Sequence, residues 1–157
     1  MSQSEQNITW HDSDARVVPE ATEVTQEKAK FLIAEDNKVN ARHFCRLLNK
    51  LGLQSTYQIT WNGQEAVDAY KAHPEQCKMI FMDISMPVMG GMEATLKIRE
   101  YEKEKNLQPA IIVGVVACSI TMESQRERFV NHFGMDTVLC KPFKLDSLGQ
   151  IFEEYPV

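Results

Sequence analysis

No stretch of this 157-residue chain approaches the ~18 consecutive apolar residues that a membrane-spanning helix requires. Its opening, MSQSEQNITWHDSD, lacks the basic start and apolar run of a secretory leader. A soluble, cytoplasmic protein without membrane contact of its own is therefore expected. Positive charge is also short: 17 Lys and Arg face 22 Asp and Glu, a formal net charge of -5. Nucleic-acid binding depends mainly on Lys and Arg neutralising phosphates, so no direct nucleic-acid surface is expected, whereas an acidic surplus suits a cation. Cysteines number only 4, at Cys45, Cys77, Cys118 and Cys140, spaced too widely for a CxxC pair or a zinc knuckle. Each sits beside apolar residues and reads as a buried free thiol. His11, His43, His73 and His132 form no HxxxH pair, so a metal site built from nitrogen or sulfur is not expected.

What is present is one domain's worth of core, with 43% hydrophobic and 25% charged residues. Residues 1–28 are rich in Ser, Gln, Glu, Asp and Thr with little apolar periodicity, and they read as a disordered tail or linker ahead of a domain over residues 29–157. From Lys30 onward short apolar runs alternate with amphipathic stretches. Phe31 to Ala34 makes the first run and stops at acidic residues, as a buried parallel strand would. Ala41, Phe44, Cys45, Leu48 and Leu51 then repeat at helical spacing up to a stop at Gly52. Gln54 to Thr60 is the second expected strand, and Asn62-Gly63 precedes a helix using Ala66, Val67 and Tyr70. Met79 to Met82 ends at Asp83. After Pro87 and Gly90-Gly91, a helix is expected from about Met92 to Glu104, with EYEKEKNLQPA as an exposed extension. Ile111 to Ala117 is the most strand-like run; Met122, Arg126, Phe129, Val130 and Phe133 share a helical face closed by Gly134. Val138 to Cys140 is a fifth short strand, and Leu145, Leu148, Ile151 and Phe152 line one side of a last helix.

Five strand-then-helix units call for a parallel sheet covered on both faces, because parallel strands need right-handed crossover helices. The expected fold is α/β, a doubly wound, flavodoxin-like (βα)5 sheet of strand order 2-1-3-4-5. In such sheets ligands sit outside the carboxyl ends of the strands. Those ends carry Glu35 and Asp36, Asp83, Ser119 and Lys141. Like charges ~4 Å apart cost on the order of 4 kcal/mol at an effective dielectric near 20, so three converging carboxylates need a divalent cation. Oxygen ligands with room for water point to Mg²⁺. Lys141 adds a point charge for a carboxylate or a phosphate oxygen. The chemistry that follows is attack of an aspartate oxygen on a phosphoryl group, with metal and ammonium offsetting charge on the equatorial oxygens. Ser119 would donate its hydroxyl to the new phosphoryl oxygen, and a small inward pull on it would shift the loop and helix that follow.

The segments FLIAEDNKVN, MIFMDISMPVMGGMEAT, VVACSI and LCKPF, within a stretch from Lys30 to Tyr155, resemble a response-regulator receiver domain of the hybrid histidine kinase and phosphorelay type. That resemblance implies Asp83 as phosphoacceptor, Asp36 as direct metal ligand, Glu35 as a ligand partly through water, and the main-chain carbonyl of Ser85 as a further ligand. It implies Ser119 as the switch hydroxyl, 22 residues before the family's lysine at Lys141, with Thr121 as the cap of the next helix. A cis bond before Pro142 is implied as well. The partner it implies is a histidine kinase or a His-containing phosphotransfer protein, docking on a patch rimmed by Val39, Asn40 and His43. Three residues before Lys141 many relatives carry an inward-turning Tyr or Phe, where this chain has Val138. Output through the first-helix face rather than the fourth is the expectation that follows.

Singly, these residues have plainer explanations. Glu35-Asp36 could cap a helix, Asp83 could form a turn, and Lys141 could be a solvated loop lysine. Met79, Met82, Met86, Met89 and Met92 read as packing rather than copper ligands. A haloacid-dehalogenase phosphatase would need a second aspartate where Ser85 stands, and a flavin-binding loop would need hydroxyls and glycines where AEDNKVN stands. A phosphorylation-independent pseudo-receiver acting as a protein-binding module is the remaining alternative. No DNA-binding or catalytic segment follows the last helix, which leaves a stand-alone regulator, a relay shuttle or a piece of a hybrid kinase. The expected location is cytoplasmic, with a nuclear one as the alternative, or the cytoplasmic side of a membrane kinase for a piece of one.

Overall fold

Each apolar run becomes a strand and each amphipathic stretch a helix across residues 29–117 and 122–157, which the computed structural model describes. The order is β1 (Phe31–Ala34), α1 (Lys38–Lys50), β2 (Tyr57–Thr60), α2 (Gly63–Ala72), β3 (Met79–Asp83), α3 (Gly91–Lys105), β4 (Ile111–Ala117), α4 (Met122–Asn131), β5 (Thr137–Lys141) and α5 (Leu145–Glu154). The strands pair in parallel in the order β2-β1-β3-β4-β5. This is the expected doubly wound sheet. The expected tail, Cys118, Ser119 and Thr121 lie outside the described residues.

Alternation along the strands divides the interior in two. Phe31, Ile33, Phe81, Val113, Val115 and Leu139 meet Phe44 and Leu48 of α1 and Leu148 and Ile151 of α5. Leu32, Ala34, Ile80, Met82, Ile112, Val116 and Val138 face the other way, onto α2, α3 and α4 through Val67, Tyr70, Ile98 and Phe129. Burying both faces explains why the strands are nearly all apolar rather than alternating with polar residues. The five methionines are absorbed by these two interiors.

Three expectations change. The second strand begins at Tyr57, not at Gln54, because pairing with β1 starts where Thr56 accepts from the amides of Lys30 and Phe31 at 2.8 and 3.0 Å. The third helix does run on to Lys105 and stops at Asn106 in a left-handed conformation with φ 54, but its extension is not wholly exposed. Glu102 is buried at 3% exposure, where it accepts from the Tyr70 hydroxyl, the Ala110 amide and Arg99 at 2.9, 2.7 and 2.7 Å. Arg99 also reaches Asp136 at 2.8 Å and so ties α3 to the loop before β5. Finally, Cys45 and Cys77 are buried free thiols, each pushed up to about 12 by burial, whereas Cys140 is disulfide-bonded. Strand pairing sets Cys140 opposite Val116, a proximity that spacing along the chain does not reveal.

Candidate functional site

The doubly wound sheet delivers four of the expected side chains to one rim. Glu35 follows β1 directly, Asp83 closes β3 and Lys141 closes β5. Glu35 and Asp83 are buried, at 4% and 5% exposure, while Asp36 is exposed. One carboxylate oxygen from each of Glu35, Asp36 and Asp83 lies within 4.8 Å of the others. The Lys141 ammonium bridges two of them, 2.9 Å from Asp83 Oδ2 and 3.0 Å from Glu35 Oε1.

Local backbone choices make this convergence possible. Helix α1 is capped by Asn37, whose Oδ1 accepts from the amides of Val39 and Asn40 at 2.9 and 3.1 Å. The acidic pair before it is thereby spared capping duty, and the plain reading of Glu35-Asp36 as a cap gives way. The amide of Asn37 instead donates to Glu35 Oε2 at 3.2 Å. On the other side of the rim, Ser85 is exposed and its amide donates to Asp83 Oδ1 at 3.1 Å. The start of α3 lies against the back of Asp83: a Cβ at Gly91 would collide with the Asp83 carbonyl. Glycine is needed there for close approach, since its φ is not in the left-handed region. Between them Val88 does occupy that region, with φ 67 and 82% exposure.

Charge governs this rim. Glu35 is pushed up to about 7, first by burial and then by the hydrogen bond and charge of Asp83, with the Asn37 amide and Lys141 opposing. Burial works against the charge on Lys141, but its contacts with Asp83 and Glu35 outweigh that, and its ammonium is held above the usual lysine range. Among the described residues, the Lys141 ammonium faces three carboxylates, which leaves a negative excess. The donors are all oxygen and the exposed Asp36 leaves one side open to water, the character of a site for a hard divalent cation that keeps part of its hydration.

Sequence reasoning named Glu35, Asp36, Asp83, Ser85 and Lys141, and the first three and the last come together here. It missed Asn37 as the cap, although an Asn immediately before a helical pattern is an ordinary signal for one. It also missed how His43 is used: its Nε2 lies 3.1 Å from the Phe143 carbonyl. The expected cis bond between Lys141 and Pro142 is present. Val138 is buried at 8% exposure in the core beside Met135 and Phe129, so no aromatic ring stands at that position.

Comparison with known proteins agrees with this geometry. A family model described as the response regulator receiver domain matches residues 31–153. Hybrid signal transduction histidine kinase G of Dictyostelium discoideum is 37% identical over 142 residues, which are 90% of this chain and 4% of that protein. Histidine kinase 5 of Arabidopsis thaliana is 29% identical over 98% of this chain and 18% of its own length. The chain thus spans less than a fifth of these relatives. Among solved structures, the receiver domain of Ssk1 from Saccharomyces cerevisiae, crystallised with the histidine phosphotransfer protein Ypd1, superposes with TM-score 0.70 at 32% identity, covering 82% of this chain and 89% of that one. The receiver domain of a Pseudomonas aeruginosa sensor histidine kinase, with magnesium coordinated in its active-site cleft, gives TM-score 0.61 at 29% identity over 80% of this chain and 94% of that one.

Proposed function

The chain belongs to the response regulator receiver domain family, and from that membership we propose that it accepts a phosphoryl group on Asp83 from a phosphohistidine donor, with Mg²⁺ beside it. The donor is a histidine kinase or a His-containing phosphotransfer protein. The observation that carries this reading is the placement of Asp83 against the Lys141 ammonium at 2.9 Å, inside a three-carboxylate cluster.

A carboxylate oxygen of Asp83 attacks the phosphorus, the bond from phosphorus to the donor's imidazole nitrogen breaks, and its electron pair leaves with that nitrogen. Lys141 offsets charge on the equatorial oxygens and afterwards holds the phosphoryl group. Asp36, Asp83, Glu35 and the main-chain carbonyl of Ser85 are the proposed holders of Mg²⁺, which when bound shares that same charge. Ser119, by family resemblance, donates its hydroxyl to the new group. The phosphoryl group stays on the chain, so the protein acts as an acceptor and not as a turnover enzyme. Docking falls on the exposed start of α1, where Val39 is 67% exposed; the relative solved with Ypd1 supports a partner of that class.

Incubation with Mg²⁺ and acetyl phosphate, followed by intact mass measurement, tests the proposal. The parent should gain one phosphoryl group and Asp83→Asn none. An equal gain in both would remove Asp83 from its role.

A further inference from the structure

We propose that His43 is a positioning residue for Lys141: its Nε2–H, bonded to the Phe143 carbonyl, braces the segment after β5 against α1 and so sets where the Lys141 ammonium lies. The inference rests on reading Asp83 as the phosphoacceptor and Lys141 as its cationic partner.

The need for a brace follows from sheet topology. β3 and β5 are not neighbours, because β4 lies between them. Two strand spacings put their backbones ~10 Å apart. A flexible lysine must cross that gap to place one ammonium 2.9 Å from Asp83 and 3.0 Å from Glu35. No ladder hydrogen bond joins β3 to β5 directly. Helix α1 spans the gap from one face instead. Phe44 packs its ring 4.7 Å from Phe81, two residues before Asp83, and 4.8 Å from Phe143, two residues after Lys141. His43, the preceding residue, lays its ring 5.6 Å from that of Phe143 and brings Nε2 to 3.1 Å from the Phe143 carbonyl.

The two contacts do different work. Phe143 is buried at 7% exposure, so its ring anchors the segment in the core. Rings in contact can still slide, whereas a hydrogen bond to the main chain fixes height and direction. A carbonyl oxygen only accepts, so the proton is on Nε2 of His43. The carbonyl it holds precedes α5, whose first ladder bond runs from the Leu148 amide to the Lys144 carbonyl at 3.1 Å, one residue further on. His43 thus reaches main chain that the α5 ladder does not hold. Its own side is exposed, so a partner helix laid on α1 lies one hydrogen bond away from the segment that follows Lys141.

Two substitutions separate the bond from the ring. His43→Phe keeps an aromatic ring against Phe143 without a donor, and His43→Gln keeps an N–H donor at similar reach without the ring. With acetyl phosphate and Mg²⁺, His43→Phe should gain the phosphoryl group about tenfold more slowly than the parent, since ~1 Å misplacement of a reacting group costs up to ~100-fold. His43→Gln should stay within about twofold of the parent. The ¹³Cε signal of Lys141 gives a second readout that needs no phosphorylation: it should move toward that of a solvated lysine in His43→Phe and stay in His43→Gln. An unmoved Lys141 signal in His43→Phe overturns the proposal. So does equal slowing of both variants in step with lowered thermal midpoints, which is mere loss of stability. Failure of the parent itself to gain mass would count against Asp83 as acceptor, while the Lys141 signal would still decide the role of His43.

Discussion

Glu35 offers a test of the rim's electrostatics through folding stability without any metal. Its carboxyl titrates near 4.5 when unstrained and is pushed up to about 7 in the folded protein, chiefly by burial. A raised carboxyl favours the folded state while protonated. Its contribution is present in full below the unfolded value and is lost as pH rises toward 7. Each tenfold difference in proton affinity between the two states amounts to about 1.4 kcal/mol, so the loss between about pH 5 and about pH 8 is on the order of 2 to 3 kcal/mol. Other carboxyls titrate over the same range, so the comparison is with Glu35→Gln, which keeps the shape and lacks the charge. In chelator, denaturant unfolding should show the variant gaining on the parent by that amount as pH rises, with nearly equal stabilities at the acid end. Addition of Mg²⁺ at about pH 8 should stabilise the parent more than the variant, because ligand bound only to the native state adds stability by mass action. Parallel stability profiles for the two proteins from acid to neutral pH would refute the idea that Glu35 is an uncomfortable charge waiting for a cation.

Three further outcomes follow from particular contacts. Glu102→Ala removes the acceptor of the buried Tyr70 hydroxyl and the Ala110 amide and one of the two carboxylates on Arg99, and should cost about 3 kcal/mol in denaturant unfolding, with the rate of phosphorylation under native conditions unchanged because the network lies away from Asp83. Val88→Asn should raise stability by roughly 1 kcal/mol, since a β-branched residue is strained at φ 67 and this side chain, 82% exposed, has little packing to lose; an unchanged thermal midpoint would argue against strain there. Addition of a phosphoryl analogue should shift NMR signals beside Asp83, Lys141 included, more than those of α4 and of Thr137 to Leu139 in β5, because Val138 is fixed in the core where an aromatic switch would turn; equal shifts in both regions would contradict this.

The fold was legible because its cues are local. Strands such as Phe31–Ala34 and Ile111–Ala117 must be apolar on both faces to lie beneath helices, so they show as continuous runs, and Asn62 or Gly52 marks where helices begin or end. The rim was legible because, in a doubly wound sheet, each strand's last residue points to a known edge. Glu35, Asp83 and Lys141 could thus be grouped from their positions after apolar runs alone. The length of β2 was less legible: Gln54 to Thr56 have polarity and spacing that suit either strand or turn, and pairing with β1 decides.

Residue types and their order therefore determined the architecture and which oxygens would crowd together. Tertiary structure alone decided how that crowding is held. It buried Glu102 inside a helix end that looks solvated, joined Cys140 in a disulfide, and set His43 beneath the Phe143 carbonyl across 100 residues of chain. These outcomes depend on distances between elements remote in sequence, and such distances arise only when both faces of the sheet are packed.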